Sequence, residues 1–108
     1  MKMETQERGT TVVVTLAGEI DLQHSPAVRR QLMDLMFEQR DVLVDLSRVA
    51  YIDSSGIASL VEAYQAARKN ATRFVLVAVS APAMRVLQLA RLDKVFALAD
   101  TVDAALAG

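Results

Sequence analysis

Val42-Leu43-Val44-Asp45-Leu46-Ser47-Arg48-Val49-Ala50-Tyr51-Ile52-Asp53-Ser54-Ser55-Gly56-Ile57 is the stretch from which the rest of this chain can be read. Its first five residues are β-branched or apolar except for Asp45, which predicts a short strand over 42–46. Asp53-Ser54-Ser55-Gly56 then supplies the residue types that open helices. Ile57, Leu60, Val61 and Tyr64 recur on one face of the helix that follows, with Ser59, Glu62 and Lys69 elsewhere, until the pattern fades near Asn70.

Upstream, Val12, Val13, Val14 and Leu16 predict a strand that stops at Gly18, and Glu19-Ile20-Asp21-Leu22 reads as a loop. Ser25 is expected to cap a helix with Pro26 in its first turn, and Val28, Leu32, Leu35 and Met36 form its apolar stripe to about Glu38. Met33 and Phe37 lie one step off that stripe, towards an edge or interface. Downstream, Phe74–Val79 is a continuous apolar run, as expected of a strand covered on both faces. Ser80-Ala81-Pro82 opens a helix to about Leu89, 95–98 suggests a last short strand, and Asp100-Thr101 precedes a terminal helix with Val102, Ala105 and Leu106. Met1–Thr10 is polar, is not a secretory signal, and receives no element. Strands alternating with helices predict one α/β domain over 1–108, a mixed but mainly parallel sheet of four to five strands flanked by about four helices.

Composition removes several function classes. Lys and Arg number 12 against 13 Asp and Glu, for a net charge of -1, so the basic excess of a nucleic-acid binder is missing. With no cysteine and the single His24, neither a metal site nor thiolate chemistry is expected, and nothing in the motifs calls for a cofactor. The longest apolar run is far too short to cross a bilayer, so no membrane insertion is expected and the cytoplasm is the default location. Asp21, His24 and Ser55 lack the Gly-x-Ser-x-Gly setting of a hydrolytic serine, and His24 reads as a helix-entry residue. Gly18 reads as a turn and Asp45 as a solvent-facing or loop-satisfying carboxylate.

The junction at 53–56 carries the chemistry. The first N–H groups of a helix have no internal partner and sit at the positive end of its dipole. A hydroxyl there can cap the helix, and a phosphate there would meet several donors. Gly56 is expected to keep the approach clear, so that a kinase could reach the serine beside it. Taken alone, the four residues fit ordinary capping better than a switch site.

The run from Val42 to Gly56 resembles the signature of STAS domains, particularly of bacterial anti-sigma factor antagonists. Gly18-Glu19-Ile20-Asp21, Arg73-Phe74-Val75-Leu76-Val77 and Leu92-Asp93-Lys94-Val95-Phe96 are similar to further family segments, in the same order. The resemblance implies a small cytoplasmic sheet-and-helix module that switches partners and is not an enzyme. In that scheme the unphosphorylated protein binds an anti-sigma factor that is also a serine kinase, which frees a sigma factor. Phosphorylation ends the complex, and a PP2C-type phosphatase could reverse it. Carried onto this sequence, Ser55 is the phosphoacceptor and Ser54 a supporting cap, and Asp21, Asp53, Gly56 and Ser59 share the partner surface with them. The chain departs from the family at Ala58, Asn70-Ala71 and Arg91, where glycine is frequent. The same resemblance admits an alternative, a cytosolic STAS subunit of an ABC-type lipid transporter that docks on its ATPase through 53–56, with Ser55 as a contact only. An enzyme that holds an anion at this junction lacks a nucleophile–base pair or glycine phosphate loop to support it. The oligomeric state, the sigma factor and a stressosome-like scaffold role stay open.

Overall fold

In the computed structural model, which describes residues 1–108, five strands form one sheet in the order β1-β2-β3-β4-β5. They are β1 (Lys2–Arg8), β2 (Thr11–Ile20), β3 (Asp41–Ile52), β4 (Phe74–Val77) and β5 (Ala97–Ala99). The helices are α1 (Ser25–Phe37), α2 (Ser54–Asn70), α3 (Ala81–Leu89) and α4 (Val102–Ala107), with a 3-10 turn at Leu92–Lys94. Only β1 runs antiparallel to its neighbour; the other pairings are parallel, as crossover helices require.

Strand alternation sorts the side chains onto two faces. Val12, Val14 and Leu16 of β2, Val42, Val44 and Leu46 of β3, and Phe74 and Leu76 of β4 join residues of α1, α2 and α3 in the main core. Val13, Leu43, Val75 and Val77 point the other way and meet Ala105 of α4. β4 is therefore buried throughout, the environment its uninterrupted apolar sequence requires.

Three expectations are corrected. The polar N-terminus is strand β1, an edge whose residues are mostly exposed; pairing with β2 satisfies its backbone, and its charged residues guard the open side. Gly18 does not end β2. It sits at φ +92° beside a bulge, and Glu19 and Ile20 pair onward with Tyr51 and Ile52. β3 accordingly runs six residues past Leu46, to Ile52. The last strand, expected over 95–98, is displaced to Ala97–Ala99, because Leu92–Lys94 forms the 3-10 turn and the Val95 and Phe96 N–H groups bond back to the Leu92 carbonyl.

The helix ends follow known chemistry with one exception. Ser80 and Thr101 cap α3 and α4 through their hydroxyls, as expected. Ser25 does not cap α1; it is the first helical residue and is buried, and His24 holds the cap position without a side-chain bond. α2 stops where Ala71 turns left-handed at φ 59°, and Arg91 does the same at φ 59°. At both positions the resemblance leads one to expect glycine, which a left-handed backbone favours. No helix is long and apolar enough to cross a membrane.

Candidate functional site

The bulged extension of β2 and β3 delivers Ile20 and Ile52 side by side, so the loops after them emerge together at one sheet end. The Asp53 N–H donates to the Ile20 carbonyl at 3.2 Å, which ties the start of α2 to the loop holding Asp21. α2 begins there. Its cap is Asp53, whose Oδ1 accepts from the N–H groups of Ser55 at 3.0 Å and Gly56 at 3.2 Å. The same oxygen accepts the Ser55 hydroxyl at 2.6 Å. Ser55 Oγ is thus half-buried, oriented, and hydrogen-bonded to a carboxylate.

The capping role expected of Ser54 therefore belongs to Asp53. Ser54 is exposed in the first turn of α2, where it stands beside Ser55 with its side chain facing solvent. The donors that would greet a phosphate are in part already taken by Asp53.

Gly56 and Ser59 are also placed differently from expectation. A Cβ on Gly56 would lie 2.7 Å from Ile52 Cγ1, 2.8 Å from Ile20 Cγ2 and 3.0 Å from the Ile20 carbonyl oxygen. Gly56 faces inward, so its missing side chain lets α2 sit on the two strand ends; it does not clear a path for a kinase. Ser59 is 4 % exposed and cannot line a partner surface as expected. Its hydroxyl reaches the Ser55 carbonyl at 3.1 Å and the Ser25 carbonyl at 3.4 Å, one turn beneath Ser55 and across to α1. It positions the Ser55 peptide. Glu62, further along, is held by Arg29 at 2.7 Å.

Asp21 stands at the same end, in a capping turn of its own. Its Oδ1 accepts the His24 N–H at 3.1 Å and meets His24 Nδ1 at 2.7 Å. An ionised carboxylate can only accept, so Nδ1 carries the proton. Leu22 and Tyr51 are exposed apolar residues flanking this junction, 75 % and 49 % open. Tyr51 escapes sequence reasoning because β3 outruns the apolar run that marks it, and Leu22 because it lies in a loop with no periodicity.

Both carboxylates titrate low. The Ser55 hydroxyl is the main cause at Asp53; burial opposes it, and the Gly56 and Ser55 N–H groups add to the lowering. At Asp21 burial pushes upward but is outweighed by the His24 N–H and imidazole, leaving the carboxyl below its ordinary value of 3.8. Both are ionised at neutral pH. A folded-state pKa below the unfolded one means the folded state releases protons more readily, so the associated stability is complete above the unfolded value and drains away as pH falls through the folded one. Asp53→Asn is therefore expected to be less stable than wild type at neutral pH, with the gap narrowing only below about pH 4. Urea unfolding at several pH values measures this; a gap constant down to pH 2 would mean that the Asp53 charge contributes nothing.

No group of three His, Asp or Glu side chains is placed to hold a metal ion. The STAS domain family matches residues 2–105 of this chain. The chain belongs to the STAS domain family. The anti-sigma-B factor antagonist of Listeria monocytogenes is 30% identical over 97 residues, spanning 88% of this chain and 85% of the relative. An anti-sigma factor antagonist from Mycobacterium paratuberculosis superposes with a TM-score of 0.88 at 30% identity, covering 98% of this chain and 91% of that one. SpoIIAA in its unphosphorylated form aligns at a TM-score of 0.83 and 22% identity over 97% of this chain and 93% of its own. In this STAS domain the β2 and β3 ends, the Asp53 cap and Ser55 stand together at one end of the sheet.

Proposed function

We propose that this STAS domain is an anti-sigma factor antagonist whose binding state is set by phosphorylation of Ser55. One observation carries the reading: Ser55 Oγ lies 2.6 Å from the ionised Asp53 carboxylate, at the exposed end of the strand pair. A phosphoserine carries about -1.5 to -2 charges at neutral pH. Placed on Ser55, that charge would stand against Asp53 and compete with it for the Ser55 and Gly56 N–H groups. The change is confined to the helix start, since the sheet and both cores lie beneath it. The kinship with anti-sigma factor antagonists supports the partner class, and SpoIIAA in its phosphorylated form keeps this fold at a TM-score of 0.78.

The unphosphorylated surface around Ser54, Ser55, Asp53 and Asp21, with Leu22 and Tyr51 as its apolar part, receives the anti-sigma factor. That factor is itself the serine kinase, and a PP2C-type phosphatase restores the hydroxyl. The domain performs no catalysis. Intact-mass spectrometry after incubation with the candidate anti-sigma kinase and ATP tests this, with Ser55→Ala alongside. One added phosphate on wild type and none on the variant is expected. Equal phosphorylation of both would move the acceptor away from Ser55, and none on either, with a kinase active on its own known substrate, would overturn the switch.

A further inference from the structure

Three of the five aromatic residues gather at the opposite end of α2 from Ser55. Tyr64 meets Phe96 edge-on with ring centroids 5.4 Å apart, and Phe74 stands 6.3 Å from Phe96. Beside them opens a cavity of about 290 Å³ at the end of β4, lined by Tyr64, Phe74, Val75 and Ala97 and, among its polar residues, by Arg68 and Arg73. No carboxylate lines it.

Neither arginine has an acidic partner, although Arg8, Arg29 and Arg40 all do. The Arg68 guanidinium lies 5.9 Å from the Tyr64 ring centroid and forms no side-chain hydrogen bond. Arg73 gives one terminal nitrogen to the Ala105 carbonyl at 2.8 Å, which fixes the stem and leaves its other N–H groups unpaired. The Asp41 carboxylate is turned to the Arg73 main-chain N–H at 2.8 Å. The lining thus combines two arginines, whose guanidinium groups suit carboxylate recognition, with apolar and aromatic side chains.

We propose that this cavity binds a small aromatic monoanion, its carboxylate held by Arg68 and Arg73 and its ring against the apolar lining around Tyr64, Phe74 and Ala97. The volume of about 290 Å³ falls just below the usual range of ligand pockets, about 300–1,000 Å³, which restricts the ligand to one or two rings. The site is separate from the Ser55 surface: Arg68 lies about 20 Å along α2 from Ser55 at the helical rise per residue.

Isotope-labelled protein titrated with 2-naphthoate tests the proposal, with uncharged 2-naphthamide as the matched control and amide resonances as readout. Saturable shifts are expected at Tyr64, Arg68, Thr72, Val75 and Ala97, with a Kd on the order of 0.1–1 mM for a ligand this small. The amide should bind at least about 10-fold more weakly, and Arg68→Gln should weaken naphthoate by a similar factor. The Arg68 side chain makes no hydrogen bond or ion pair and only its contact with the Tyr64 ring, and the variant's own spectrum shows whether it is folded. Equal binding of acid and amide, unchanged binding by Arg68→Gln, shifts centred elsewhere, or no saturable shift would each overturn the site.

Discussion

Ser55→Asp is expected to weaken the complex with the anti-sigma partner by about 100-fold or more, which corresponds to roughly 2.7 kcal/mol of binding free energy. Ser55→Ala should stay within about threefold of wild type. The contrast follows from what each change does at the helix start. Alanine removes one donor from Asp53, which keeps the Ser55 and Gly56 N–H groups. Aspartate instead sets a second carboxylate against one that Ser55 itself helps keep ionised. The other nearby carboxylate, Asp21, is engaged with His24, so the imidazole is not free to neutralise the addition. Like charges pressed together in a desolvated contact cost several kcal/mol, whereas a lost hydrogen bond with a remaining partner costs about 1. Calorimetric titration of both variants into the purified anti-sigma factor decides the matter. If Ser55→Asp binds as wild type does, charge at this position is not the switch.

Gly56→Ala should lower folding stability by about 1–3 kcal/mol, an unusually large effect for adding one methyl at a helix start. The new carbon would sit 2.7 Å from Ile52 Cγ1 and 2.8 Å from Ile20 Cγ2, inside any normal carbon contact. Ile20 and Ile52 are themselves buried at 1 % and 2 % exposure, so neither can swing away. The Ile20 carbonyl oxygen, at 3.0 Å, belongs to the bulged strand and is equally fixed. α2 would have to lift, and with it the Asp53 cap and the Ser59 hydrogen bond to the Ser55 carbonyl. A lowered urea midpoint together with weakened partner binding is expected. Wild-type stability would show that α2 has slack over the strand ends, contrary to the packing described.

Much of the architecture was legible because local chemistry and tertiary environment agree there. Val42, Leu43, Val44 and Leu46, Phe74–Val77 and the stripe Val28, Leu32, Leu35 and Met36 are all buried, and their apolar periodicity states as much. Ser80 and Thr101 cap helices because a hydroxyl at that position has only near neighbours to satisfy. The helix after residue 53, and Ser55 in its first turn, were legible for the same local reason.

The order of elements from β2 onward, the mainly parallel sheet and the serine at the start of α2 therefore follow from local sequence alone. Contacts between residues distant in sequence decided the rest. β1 is polar and becomes a strand only because β2 offers a partner; β2 and β3 run past Gly18 and Leu46 only because each continues the other's ladder. Asp53 rather than Ser54 caps α2 because the Ile20 carbonyl fixes the Asp53 backbone N–H and so aims its side chain. Gly56 and Ser59 turn inward because α2 lands on Ile20, Ile52 and the Ser25 carbonyl. A helix period tells which residues share a face, but the orientation of that face is set by what the helix packs against.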